Sequence, residues 1–223
     1  MPRHARGFDV DAAHAHLMRV DRKFGAWMQR IGPIPRDPRW RAPFDPVDAL
    51  ARAILYQQLS GKAAATIVGR VETAIASDRL HGDTLGRCDD ETLRACGVSG
   101  NKLLALRDLA RREALGEIPN LKRMAAMSDD AIVEALVPVR GIGRWTVEMM
   151  LMFRLGRPDV LAVDDLGIRK GLMRVDEADV MPTPRETRER GNVWAPYRSY
   201  AGLYLWRIAD FAADAAATPR SQG

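Results

Sequence analysis

Asp164 and Asp165 place two carboxylates side by side, the second of them 22 positions after Gly143 in the stretch VPVRGIGRWT that fills residues 137–146. A fixed carboxylate can stabilise positive charge that builds up as a bond breaks, or steer water towards it. The glycine stretch supplies a different function. Gly141 and Gly143 let the backbone turn tightly and approach another chain closely, and a helix starting near Arg144 would aim its unpaired N–H groups and positive dipole end at a phosphate. A phosphate grip beside a candidate acid points to chemistry on DNA, with Arg140 and Arg144 flanking the turn. Such a grip holds phosphate without reading sequence, which suits scanning of a duplex.

These residues must be positioned by helices. The chain has 223 residues and is 47% hydrophobic, enough for a sizeable core and against disorder. Apolar residues Leu17, Val20, Phe24, Trp27, Met28 and Ile31 recur at helical spacing and predict one amphipathic helix, stopped by Gly32 and the prolines after it. Asp45 with Pro46, then Ser60, Asp89, Ser99 and Ser128, read as helix starts, and Gly97 and Gly116 as stops. Thr183, Pro184 and Glu186 form a capping box, and the last helix is expected from about 196 to 216, with Tyr200, Leu203, Leu205 and Ile208 buried. Residues 160–163 read as an extended connector, and 218–223 as a frayed tail. The expected fold class is all-α.

Composition limits the function. With 34 Lys and Arg against 29 Asp and Glu, the net charge of +5 permits a polyanionic partner. Cys88 and Cys96 stand alone, too few for an iron–sulfur cluster or a disulfide framework. His4, His14, His16 and His81 have no zinc-ligand spacing, and three of them fall near an N-terminus expected to be mobile. No apolar run is long enough to span a membrane, so a cytoplasmic, nucleoid-associated protein is expected.

Three segments in order, GIGRWT at 141–146, the Asp164–Asp165 pair, and WAPYRSY at 194–200 with Trp206, resemble the helix-hairpin-helix DNA glycosylases, nearest to the 3-methyladenine DNA glycosylase II (AlkA) type. The stretch AILYQQLSGK at 53–62 resembles the family's segment beside the DNA minor groove. The resemblance implies a two-lobed helical unit, with one lobe at about 46–122 and the other at about 1–45 plus 123–223, the latter holding the hairpin. A cleft between the lobes would be faced by Asp165. It implies a monofunctional enzyme, acting as a monomer on double-stranded DNA, that hydrolyses the N-glycosidic bond of alkylated bases.

By the same resemblance Asp165 is the catalytic carboxylate; read alone, it is equally an N-cap for a helix beginning at Leu166. Trp145 replaces the lysine that strand-cleaving relatives carry. Trp145, Trp206 and Tyr56 would line a base pocket, where indole can stack on a cationic methylated purine; both tryptophans, and Tyr56, could instead be packing residues. Gln58 falls at the wedge that fills the gap left by a flipped nucleotide, flanked by Gln57 and Leu59, against the reading of a glutamine that merely caps backbone. Gly141, Gly143, Arg144, Thr146, Lys62 and Arg169, with Lys170, are candidate phosphate contacts, against solvated helix faces. No cofactor is required for the chemistry, although the main-chain carbonyls of Val137, Val139 and Ile142 match those that bind Na⁺ or K⁺ in relatives. Met149, Met150, Met152 and Phe153 read as the buried face of the helix after the hairpin.

The chain also departs from the AlkA pattern. Leu166, Met149 and Arg207 stand where that pattern has aromatics, which implies a less aromatic pocket, and the segment before Asp45 is too short for the β-rich domain of larger members. A glycosylase for oxidised or deaminated bases, and a non-catalytic DNA-binding protein, are the competing readings.

Overall fold

The computed structural model describes residues 6–217, with side chains through residue 211; His4 and the tail at 218–223 lie outside the described residues. Among the described residues every regular element is helical. In chain order these are α1 (Val10–Val20), α2 (Arg22–Ile31), a 3₁₀ turn (Pro38–Trp40), α3 (Pro46–Tyr56), α4 (Gly61–Ile75), α5 (Gly82–Leu85), α6 (Asp90–Ala95) and α7 (Gly100–Ala114). They continue with α8 (Leu121–Met124), α9 (Asp129–Leu136), α10 (Arg144–Met150), a π-helical turn (Leu151–Leu155), α11 (Leu166–Val175), α12 (Pro184–Gly191), a 3₁₀ turn (Asn192–Trp194) and α13 (Arg198–Ala217).

Local chemistry accounts for most of the starts. Asp45 accepts the Val47 and Asp48 amides, Ser60 that of Ala63, Asp89 that of Thr92 and Ser128 that of Ala131. Each such cap is worth about 1 kcal/mol. Thr183 and Glu186 close both bonds of the capping box. Ser99 occupies the cap position of α7 without a side-chain bond to it.

The single helix expected over Leu17 to Ile31 is two helices. Asp21 leaves the helical region, with φ −141° and ψ 101°, and caps α2 through the Phe24 amide. The cause is tertiary. The same buried carboxylate accepts Trp194 Nε1 at 2.9 Å and pairs with Arg190 at 2.6 Å. Burial alone would raise its pKa, but the bonds from Phe24, Arg190 and Trp194 outweigh it and hold the group below the ordinary carboxylate range. His14 and His16 lie within α1 rather than in a mobile leader, and His14 Nδ1 is 3.1 Å from the Tyr204 hydroxyl.

The chain falls into two compact units, one of residues 43–147 and one combining 6–42 with 148–217 among the described residues; the boundary lies inside α10. This differs from the expected lobes, because 123–147, hairpin included, group with the central segment. The reason is that side chains of α7 and of the turn after α3 grip the hairpin. The Asp108 carboxylate accepts the Arg140 amide at 2.9 Å, and Gln57 donates to the Gly141 carbonyl.

In the central unit α3 packs on α4 and α7, with Leu50, Ile54, Leu55, Val71, Ile75, Leu106 and Leu109 fully buried. Each contributes about 1.5–3 kcal/mol of burial. In the terminal unit α11 packs on α13 at very close range. A β-carbon on Gly171 would lie 2.1 Å from the Leu205 carbonyl oxygen, so no other residue fits without separating the helices. Tyr200, Leu205 and Ile208 are buried as expected, while Leu203 is half-buried. The Tyr200 and Tyr204 hydroxyls donate to the Ile34 and Gly32 carbonyls, tying the segment after α2 to α13.

Candidate active site and nucleic-acid interface

In the central unit, α9, the hairpin and α10 form the helix-hairpin-helix motif. Val139 N–H donates to Leu136 and Ile142 N–H to Val139, closing two successive turns over buried Val139 and Ile142 side chains. The two glycines do different work. Gly141 has φ +79°, a left-handed conformation that favours glycine. A β-carbon on Gly143 would meet nothing within 4 Å and its φ is ordinary, so the protein itself gives no reason for glycine there. Open space above a bare backbone at a helix start is what the close approach of another chain requires. The Thr146 amide is taken by the Gly143 carbonyl, and Arg144 pairs with exposed Asp130 at 3.4 Å. Trp145 is 47% exposed, which excludes the reading of a core residue.

The turn after α3 carries the predicted wedge. Tyr56 and Leu59 are exposed, and Gln58 projects from a left-handed position with φ +56°, uncommon for a residue with a β-carbon. Gln57 is placed differently from its neighbours. Its side chain turns back, and Nε2 donates to the Gly141 carbonyl at 2.7 Å. Lys62 is exposed on the first turn of α4.

In the terminal unit, residues 160–163 are buried and lead into the carboxylate pair through a turn in which the Asp165 amide donates to the Ala162 carbonyl at 3.0 Å. Asp164 is exposed, whereas Asp165 is half-buried at the N-cap of α11. Its Oδ1 accepts the Ile168 amide at 2.9 Å and the Trp206 indole N–H at 2.8 Å. The capping reading is therefore realised, and it supplies what a catalytic carboxylate needs, a fixed orientation. Trp206, expected as a pocket wall, spends its only polar hydrogen on Asp165. Its ring stacks on Phe153, with centroids 5.7 Å apart at 21°, and the Arg39 guanidinium covers Phe153 at 4.3 Å. Gly167 makes the contact possible, since a β-carbon there would lie 2.6 Å from Trp206 Cδ1.

Arg39, Phe153 and Gly167 were not legible as site residues. The sequence groups Phe153 with a buried helical face; Met150 and Met152 are buried, whereas Phe153 and Met149 are half-buried. Of the basic candidates, Arg169 donates to the Pro182 carbonyl at 2.7 Å and Lys170 is exposed. Leu166 and Arg207 are exposed.

A helix-hairpin-helix in one unit and a capped, indole-braced carboxylate in the other define a helical DNA-repair protein of the helix-hairpin-helix class. The sequence matches the HhH-GPD superfamily base excision DNA repair protein family over residues 51–196, and the chain belongs to that family. It is 33% identical over 201 residues to DNA-3-methyladenine glycosylase 1 of Schizosaccharomyces pombe, covering 90% of this chain and 88% of the relative. Among solved structures it is similar to a 3-methyladenine DNA glycosylase of Schizosaccharomyces pombe in complex with abasic DNA. That match has TM-score 0.75 and 32% identity, and covers 88% of this chain and 95% of the other. It is also similar to a DNA-3-methyladenine glycosidase of Bacillus halodurans, with TM-score 0.82 and 31% identity over 93% and 94% of the two chains. Among the described residues no helix is long and apolar enough to cross a membrane.

Proposed function

We propose that this chain is a monofunctional DNA glycosylase that removes alkylated bases, chiefly 3-methyladenine and also 7-methylguanine, from chromosomal DNA in the cytoplasm, leaving an abasic site. The observation that carries this reading is the fixed Asp165 carboxylate. Cleavage of the N-glycosidic bond builds positive charge on the deoxyribose, and a preorganised carboxylate stabilises that charge without reorienting as it develops. An N-methylated purine is already cationic and leaves without a strong general acid, so a single carboxylate suffices. The exposed Trp145 offers an indole face to such a cation, an interaction worth about 1–2 kcal/mol when desolvated. Trp145 in place of a hairpin lysine leaves no amine there to attack the sugar, which favours hydrolysis alone.

The bare backbone at Gly143 takes a phosphate, Arg144, Thr146, Lys62 and Arg169 supply further phosphate contacts, and Gln58 and Leu59 enter the duplex. The carbonyls of Val137, Val139 and Ile142 suit a monovalent cation at the hairpin. The Val139 carbonyl accepts the Ile142 amide at 3.0 Å, and a carbonyl that accepts one amide keeps a second lone pair. Such an ion would add positive charge next to the phosphate.

Methylated DNA incubated with the protein and resolved by chromatography tests the reading. Release of methylated purines by the wild type, with the strand intact until alkali is added, is the expected result. Release no faster than the spontaneous background would overturn it.

A further inference from the structure

The wedge turn and the hairpin are separated in sequence but share one support within the central unit. Lys102, Ala105 and Asp108 recur at intervals of three along one face of α7. The Lys102 ammonium donates to the Leu55 carbonyl at 2.7 Å, closing the end of α3 from which the wedge turn departs. Ala105 packs against the hairpin at Gly141, where a β-carbon would lie 3.4 Å from the Ala105 β-carbon, an ordinary van der Waals contact. The Asp108 carboxylate accepts the Arg140 amide, and Arg111 and Arg112 hold it from the other side. Gln57 then spans the two loops directly, donating from the wedge turn to the Gly141 carbonyl at 2.7 Å. Consecutive hairpin residues are thus bound in opposite senses, Arg140 through its amide and Gly141 through its carbonyl. Burial lowers the pKa of Lys102, in keeping with an ammonium that faces the protein rather than solvent.

We propose that Gln57, backed by the Lys102, Ala105 and Asp108 face of α7, is a positioning residue that locks the wedge turn to the hairpin, so that gripping the phosphate and inserting Gln58 occur as one event. This rests on the glycosylase reading, in which Gln58 enters the duplex. A glutamine that only capped backbone would stabilise the fold without linking the two DNA contacts. Linkage makes their contributions to binding non-additive, and the non-additivity depends on Gln57.

The test is a mutant cycle read as the dissociation constant for a duplex carrying a tetrahydrofuran abasic analogue. With Gln57 present, the loss caused by Gln58→Ala and Arg144→Ala together should differ from the product of the single losses by about fivefold, the scale of a coupling energy near 1 kcal/mol. With Gln57→Ala, or with Gln57→Glu, which keeps the side-chain size but presents no donor at neutral pH, the deviation should fall below about twofold. The thermal midpoint of either variant should stay close to that of the wild type. An equal deviation with and without Gln57, or none in either background, overturns the proposal. If Gln58→Ala alone leaves binding unchanged, the wedge premise fails instead, and that outcome is visible before any cycle is completed.

Discussion

The hairpin surface and the carboxylate site solve opposite problems. Around Gly143 the chain offers bare backbone, an exposed Trp145 and exposed turn residues, so that a partner can come close. Around Asp165 it does the reverse, and a half-buried carboxylate is held by a helix amide, an indole, a stacked phenylalanine and a covering arginine. Binding a polyanion needs accessible dipoles and tolerates motion, whereas stabilising developing charge needs a group that does not reorient. The two regions should therefore fail differently, the first in affinity and the second in rate.

The largest effect belongs to Asp165→Asn. The amide keeps the cap geometry but loses the charge, and excision should slow by about a hundredfold to a thousandfold, the range for removing one preorganised charge-stabilising group. Trp206→Phe comes next. It keeps the stack on Phe153 but removes the bond to Asp165, and the single-turnover rate should fall by about tenfold or more, as for a lost hydrogen bond to a charged group. If that rate is unchanged while the thermal midpoint falls, Trp206 is only a packing residue.

Gly143→Ala reaches the other region. With open space around it inside the protein, the substitution should leave the thermal midpoint unchanged or slightly raised, yet weaken DNA binding several-fold in a titration against an abasic duplex. The smallest effect is one of pH. Burial would raise the Asp108 pKa, but the Arg140 amide with Arg111 and Arg112 brings it down to about 2. A carboxylate depressed from its unfolded value of about 3.9 stabilises the fold above that value and loses the contribution as pH falls towards 2. In urea unfolding, the difference between wild type and Asp108→Asn should accordingly be constant from pH 5 to 7 and shrink between pH 4 and about 2.

Legibility in the sequence followed the same contrast. Caps, stops and the hairpin glycines are local, and Asp45, Ser60, Ser128 and the Thr183 box are where their side chains predict. The hairpin and the carboxylate pair were legible because each is a short motif. What holds them was not. Trp206 meets Asp165 across 41 positions and Gln57 meets Gly141 across 84, and no spacing rule reports either contact. Asp21 shows the same limit inside a helix-like pattern, since apolar periodicity runs unbroken through a residue that Trp194 and Arg190 pull out of the helix. Gly167 and Gly171 read as ordinary helical glycines until α13 is laid against them.

The division of labour is tested most directly by measuring the single-turnover excision rate and the dissociation constant for abasic duplex together, on the same preparations, for Asp165→Asn and Arg144→Ala. The account predicts a rate loss of at least about a hundredfold with binding within about threefold for Asp165→Asn, and weakened binding with a near-normal saturating rate for Arg144→Ala. An Asp165→Asn protein that excises methylated bases at the wild-type rate would contradict it.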